Sequence, residues 1–217
     1  MKERAKLGDV FCAELKNGQF MFGQVMLDIE MQCVRSKRII KTESLLRFWE
    51  NGYVVRVFEE ISSEPGLNSW DILVSGIPVD PRSFADDTWK VIDHHEQNVG
   101  PQFLEFSENY SLDKGEVVFE KGEVSVRTNL SEDDFYEYEL EGGAMMNSSL
   151  LFDTALIMLD RQDLSDAPWA EPIVEYDKRY IDPQIRARVF EGLGLSPDIS
   201  YYDFALKYGF DTARFFE

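Results

Sequence analysis

The sequence predicts an α+β fold with its β structure first and its helices last. Two observations carry that prediction. Through about residue 110 the chain is a series of short apolar, β-branched and aromatic runs separated by Gly, Pro and Asn turn signals. From Asn147 the apolar spacing changes to that of a helix, and later segments carry their own start and stop residues. The N-terminal part is expected to form a strongly bent antiparallel sheet or an SH3-like β-barrel, over 1–110. Residues 111–217 are expected to add a hairpin, an acidic strand and short C-terminal helices, on the same core or on a second one.

Taken in order, GDVFCAEL (Gly8–Leu15) is the first strand. Lys16-Asn17-Gly18 follows, and Asn-Gly favours a hairpin because both residues tolerate positive φ. QFMFGQVMLDI (Gln19–Ile29) is the return strand, with Gly23 marking a bulge or tight bend. TESLLRFWENG (Thr42–Gly52) reads as a short helix ending at Gly52. YVVRVFEEI (Tyr53–Ile61) is a strand, SSEPGLNS a loop, WDILVSGIPVD a further strand, and TWKVID (Thr88–Asp93) another. GEVVFE and EVSVRT, joined by Lys121-Gly122, form a tight hairpin. In SEDDFYEYELEGG, Phe135, Glu137 and Glu139 alternate with Tyr136, Tyr138 and Leu140, the period of an edge strand. SSLLFDTALIMLDR is a helix capped by Asn147 or Ser148. Asp182-Pro183 opens PQIRARVFEG, which Gly192 stops, and Ser200 caps YYDFALKYG, which ends at Gly209.

Charge narrows the function classes. The net charge is −19, and it is unevenly spread. Residues 1–60 hold ten Lys/Arg and nine Asp/Glu, while the rest holds twelve bases and thirty-two acids. Such a field repels nucleic acid and anionic membrane and speeds encounter with basic proteins. The charged start MKERAKLGDV has no apolar h-region, and no run is long enough to span a membrane, so a cytoplasmic location is expected. Cys12 and Cys33 give neither a disulfide framework nor zinc spacing, and are expected in or beside a core.

The pattern GDVFCAELKNGQFMFGQVM, with VVRVFEE, DILVSGIPVD and TWKVID after it, resembles the immunity protein 26 family of bacterial polymorphic-toxin systems. Members begin with glycine-aspartate, a short apolar strand, a turn, and an aromatic-glycine strand ending in an aliphatic pair. An aliphatic strand and a tryptophan followed by an apolar pair come later. The resemblance covers roughly 6–105. It implies a small curved β domain that binds and neutralises a cognate toxin domain, without catalysis and without a cofactor. The chain from about residue 110 lies outside that pattern.

Two stretches carry candidate chemistry. Asp93-His94-His95-Glu96 ends a strand, as the metal motif of the DHH phosphoesterases does. That site also needs aspartates from an upstream D-x-D-type cluster, which the chain lacks. Adjacent residues on an extended strand also face opposite ways, so His94 and His95 cannot share one ion without a bend. A metal-dependent hydrolase using Asp93, His94 and His95 is the alternative reading, and a general protein-binding adaptor is a third. No G-x-S-x-G elbow, P-loop or dinucleotide fingerprint is present, and Gly142-Gly143 is an isolated pair in a turn. The second stretch is SEDDFYEYELE, with Glu132, Asp133, Asp134, Glu137, Glu139 and Glu141 around Tyr136 and Tyr138. Tyrosine supplies contact area at low entropic cost, and carboxylates around it suit the Lys and Arg of a basic toxin. These eight residues are the expected partner-binding set, and their solvated-edge role is the competing expectation. Asp86-Asp87 and VEYDKRY (Val174–Tyr180) are further acidic candidates.

Overall fold

The computed structural model describes residues 4–39, 45–142 and 146–217. Eight strands form two antiparallel sheets. The first contains β1 (Asp9–Glu14), β2 (Phe20–Asp28), β3 (Tyr53–Ser62), β4 (Ile72–Val79) and β5 (Lys90–His94), in the spatial order β4-β3-β2-β1-β5. It bends through several register shifts but stays open, with β4 and β5 as its edges and not joined into a barrel. The second sheet is the meander β6 (Glu108–Asp113), β7 (Glu116–Lys121) and β8 (Val124–Arg127). Lys114 and Gly115 join β6 to β7, both at positive φ (55° and 83°).

The predicted turn chemistry is visible in place. Gly18 adopts φ 82° between β1 and β2, and the Asn17 side chain accepts the Gln19 N–H. The β2–β3 register shifts between Met21 and Gly23, and a Cβ on Gly23 would lie 2.4 Å from the Phe11 ring and 2.8 Å from the Arg56 carbonyl. Only glycine permits that approach.

The described residues also form six α-helices: α1 (Leu45–Phe48), α2 (Arg82–Ala85), α3 (Glu132–Glu137), α4 (Leu151–Met158), α5 (Pro183–Gly192) and α6 (Tyr201–Lys207). Thr42–Ser44, read from sequence as the start of a helix, and Gly143 lie outside the described residues. Asn147 caps the turn leading into α4, Asp182 caps α5 with Pro183 first, and Ser200 caps α6 before Gly209 at φ 86°. Helix α5 runs through Gly192, and Gly194, at φ 65°, takes the left-handed stop position. The expected acidic strand over 131–141 is instead the helix α3. Ser131 Oγ accepts the Asp134 N–H at 3.1 Å and Asp134 accepts the Ser131 N–H at 2.7 Å, a reciprocal cap that starts a helix.

Helix α4 lies on one face of the first sheet, where Leu151, Phe152 and Leu156 meet Phe11, Val25, Val55, Val57 and Val74. A second cluster joins Met26, Leu27, Trp49 and Val54 from the N-terminal half to Phe106, Phe119, Phe190, Phe204 and Phe215. Each buried side chain of this kind contributes about 1.5–3 kcal/mol, so the two halves are strongly tied. A small third cluster, Cys12, Phe22 and Phe58, sits on the other face of the sheet.

Buried charge reinforces the tie. Glu108 on β6 is 0 % exposed and receives a two-pronged ion pair from Arg186 on α5, at 2.7 Å to each oxygen. Lys121 on β7 adds a third contact at 3.3 Å. Burial alone would raise the Glu108 carboxyl, but Arg186 and Lys121 outweigh it and hold the group below its ordinary range. Next to it, Asp177 accepts the Glu108 N–H at 3.1 Å and pairs with Arg179, which donates in turn to Ser75 Oγ and the Gly76 carbonyl on β4. Gly76 also leaves room for the Glu105 backbone, which a Cβ would meet at 2.2 Å. The β4 edge is covered in this way.

Candidate functional site

The acidic stretch is presented by one turn and a half of helix. Phe135 and Leu140 point into the core and anchor it, which leaves the other side to water. Glu132, Asp133, Glu137, Glu139 and Glu141 are exposed, and Tyr136 keeps 61 % of its surface open. Asp134 and Tyr138 turn sideways: Arg188 on α5 donates to Asp134 at 3.3 Å and to the Tyr138 hydroxyl at 2.8 Å. Hydrogen bonds from Ser131, with Arg188 nearby, lower the Asp134 carboxyl. The structure therefore divides the eight expected residues. Asp134 and Tyr138 hold the helix, and the other six face solvent.

Just past the helix, Glu139 sits at φ 49°, and its carbonyl accepts a hydrogen bond from Lys178 at 3.0 Å. This brings the VEYDKRY segment alongside α3. Glu137, Tyr138, Glu139, Glu175, Lys178 and Asp182 line a shallow groove of about 360 Å³. Four carboxylates and one ammonium give that groove a negative potential. The Debye length at physiological salt is about 8 Å, so a basic surface feels it only at close range. Asp86 and Asp87 lie elsewhere, after α2, with Asp87 at φ 67° on the rim of another cavity.

The two histidines separate as the strand geometry requires. His94 Nδ1 lies 2.8 Å from Asp9, and His95 Nε2 lies 2.8 Å from Asp93. Each imidazole has its own carboxylate, and they open on different cavities. Among the described residues, no group of three or more His, Cys, Asp and Glu side chains could hold a metal ion. Backbone contacts explain the local order: the His95 N–H donates to the Gly8 carbonyl at 3.0 Å, and Gln24 Nε2 donates to the His95 carbonyl at 2.8 Å. Trp89 sets the strand's position by stacking on Phe11 at 4.5 Å. A concavity of about 880 Å³ opens beside β5 between Arg4, Lys6, Asp9, Trp89, Lys90 and His94.

Cys12 and Cys33 are both buried, as expected, and burial raises both thiols. A thiol held neutral is a poor nucleophile. No described helix is long and apolar enough to cross a membrane.

Sequence reasoning missed two features here. Strand β6, ENYSLD, carries the buried Glu108, whose carboxylate is satisfied by Arg186 on α5 and Lys121 on β7, so no local pattern marks it. Trp70, read from sequence as the start of a strand, instead ends the 63–71 loop and is partly open, with β4 beginning at Ile72.

The family model for Immunity protein 26 matches residues 6–115, just over half of the chain. No curated protein and no solved structure matches it. The chain belongs to the immunity protein 26 family.

Proposed function

We propose that this immunity protein binds a cognate toxin domain in the cytoplasm and blocks it stoichiometrically, without catalysis, by covering a basic active site with an acidic face. Helix α3 and the groove beside it supply that face. The observation that carries the reading is the division within the stretch 131–141: two residues are spent on holding the helix, and five carboxylates with Tyr136 are left facing water. Tyr136 would be the anchor, since a tyrosine brings large contact area with few rotors to freeze. The carboxylates would steer the encounter and pair with Lys and Arg on the toxin. A toxin that acts on nucleic acid carries such cations around its active site, and carboxylates at the surface of an inhibitor can occupy the places of phosphates.

The test is survival of cells expressing the C-terminal domain of the toxin gene adjacent to this one, with and without the immunity protein, followed by binding kinetics. Rescue with a one-to-one complex is expected. Glu132→Lys with Glu137→Lys should slow association about tenfold or more and flatten its salt dependence, because rim charges act on the on-rate. The exposed control pair Glu14→Lys with Glu50→Lys should change it far less. Equal losses at the two pairs would remove the α3 face from the mechanism.

A further inference from the structure

The 63–71 loop packs on the sheet face that carries Cys12, Phe22 and Phe58, through Leu67 and Trp70. Glu60 pins the loop. Its carboxylate accepts the Asn68 N–H at 2.7 Å, the Ser69 N–H at 2.6 Å and the Asn68 side-chain amide at 2.9 Å. Trp70 ends the loop and packs edge-on against Phe58 at 5.3 Å and His95 at 4.9 Å. It nevertheless keeps 38 % of its surface exposed. A tryptophan fixed on two sides and open on a third is preorganised for contact, with little entropy left to lose.

Between Trp70 and β5 lies a cavity of about 140 Å³, lined by Pro65, Leu67, Trp70, Ile92, Asp93 and His95, among others. Small-molecule sites run to roughly 300–1,000 Å³, and a water takes about 30 Å³, so this space suits one long side chain. Among the described residues its only lining carboxylate is Asp93, exposed, with its oxygens on the His94 N–H and His95 Nε2. No lysine or arginine among the described residues lines it. Arg56, stacked on the Phe58 ring, is held by the Gln24 side chain and the Asn98 carbonyl and stays outside the lining. Glu64, Asp71 and Glu96, next in sequence to lining residues, are exposed. An aromatic ring, a carboxylate and an acidic surround together select a cation.

We infer that this cavity is a second contact point for the toxin domain, taking an arginine or lysine side chain of the toxin between Trp70 and Asp93. The inference rests on the proposed function above. Charge complementarity with a basic partner commits it to that occupant. Unlike α3, the cavity lies inside the family-matched segment 6–115.

The test uses the full-length protein and an inactivated form of the adjacent gene's C-terminal toxin domain. Trp70→Ala should weaken the complex about 30-fold or more, the scale of a hot-spot residue. Asp93→Asn, at an exposed position, should weaken it about tenfold while leaving thermal unfolding unchanged. Hydrogen exchange should slow on binding at 64–71 and 92–96. Wild-type affinity in both folded variants, with rescue intact, overturns this inference and leaves the proposed function standing. Absence of binding and rescue by the wild type removes the proposed function and this inference with it. If Trp70→Ala unfolds, Asp93→Asn and the exchange footprint decide the matter. A footprint that tracks the protein's own concentration without toxin assigns the cavity to a second copy and also overturns the inference.

Discussion

Glu108 and Glu137 are the same residue type, 29 positions apart, under opposite conditions. Glu108 sits at 0 % exposure between Arg186 and Lys121, with cationic partners within 3.3 Å. Glu137 stands on the open side of α3 with other carboxylates as its neighbours along the groove. The first charge is consumed by the fold, and the second is available to another molecule. The difference lies in where the counter-charge comes from. An acidic composition cannot distinguish the two, because both glutamates count equally toward −19. The contrast also guards against reading every acid as a binding residue: Asp134 lies within the acidic stretch yet is bound to Ser131 and Arg188.

The sharpest way to break the comparison is Glu108→Ala. It leaves the inner face of Arg186 without its carboxylate and Lys121 with Glu105 alone. Removing one partner of a buried ion pair costs about 3–5 kcal/mol, so urea unfolding should show a loss of that size. A loss near zero would mean that these cations reach water and that the interior and surface glutamates are equivalent.

Asp80 tests the intermediate case, a buried carboxylate whose partner Arg82 is exposed. Burial would raise this carboxyl, but hydrogen bonds from the Arg82 side chain and backbone and from Ser148 prevail and hold it at about 2, against an ordinary 3.8. A folded-state pKa below the unfolded one adds stability that is fully present above about pH 4. That stability is lost as the pH falls toward 2. Partial solvent screening leaves on the order of 1–2 kcal/mol. Asp80→Asn should therefore lower stability by about that much at neutral pH, and the gap to the wild type should close by pH 2. A gap that persists at pH 2 would assign the loss to packing and not to charge.

The smallest expected effect is at the surface. Ser131→Ala removes the side-chain acceptor that starts α3 and should cost about 1 kcal/mol in thermal unfolding. It should also loosen Tyr136 and so weaken toxin binding beyond what stability alone explains. Unchanged unfolding would show that Phe135 and Leu140 hold the turn without its cap.

The same contrast explains what could be read in the sequence. Strands β1 to β5 and the β7–β8 hairpin were legible because period-two apolar runs, Asn17-Gly18 and Lys121-Gly122 act locally. Helices α4 to α6 were legible from Asn147, Asp182-Pro183 and Ser200. The open sheet agrees with the strongly bent alternative. Helix α3 was not read, because the alternation of aromatic and acidic residues from Phe135 to Leu140 imitates a strand. The usable signal was Ser131 with Asp134 three residues later, a cap outranking a short alternation. The opposed histidines followed from strand geometry. The groove between α3 and VEYDKRY did not, because it depends on Lys178 reaching the Glu139 carbonyl across 39 residues. Nor did the Trp70 cavity, which needs the 63–71 loop that Glu60 holds over the sheet.

The turn at Lys114 and Gly115 is also where the family match ends. Sequence likeness stops at residue 115, in the middle of a hairpin whose two strands are fully paired from Glu108–Lys121 to Asp113–Glu116. The unit that kinship marks and the unit that condenses from the chain are therefore not the same piece of polypeptide. A chain severed at that point would keep the inherited motif but leave β6 without its neighbour and Glu108 without either cation. Residues 116–217 thus supply, through Lys121 and Arg186, the counter-ions of a strand that lies inside the family-matched segment.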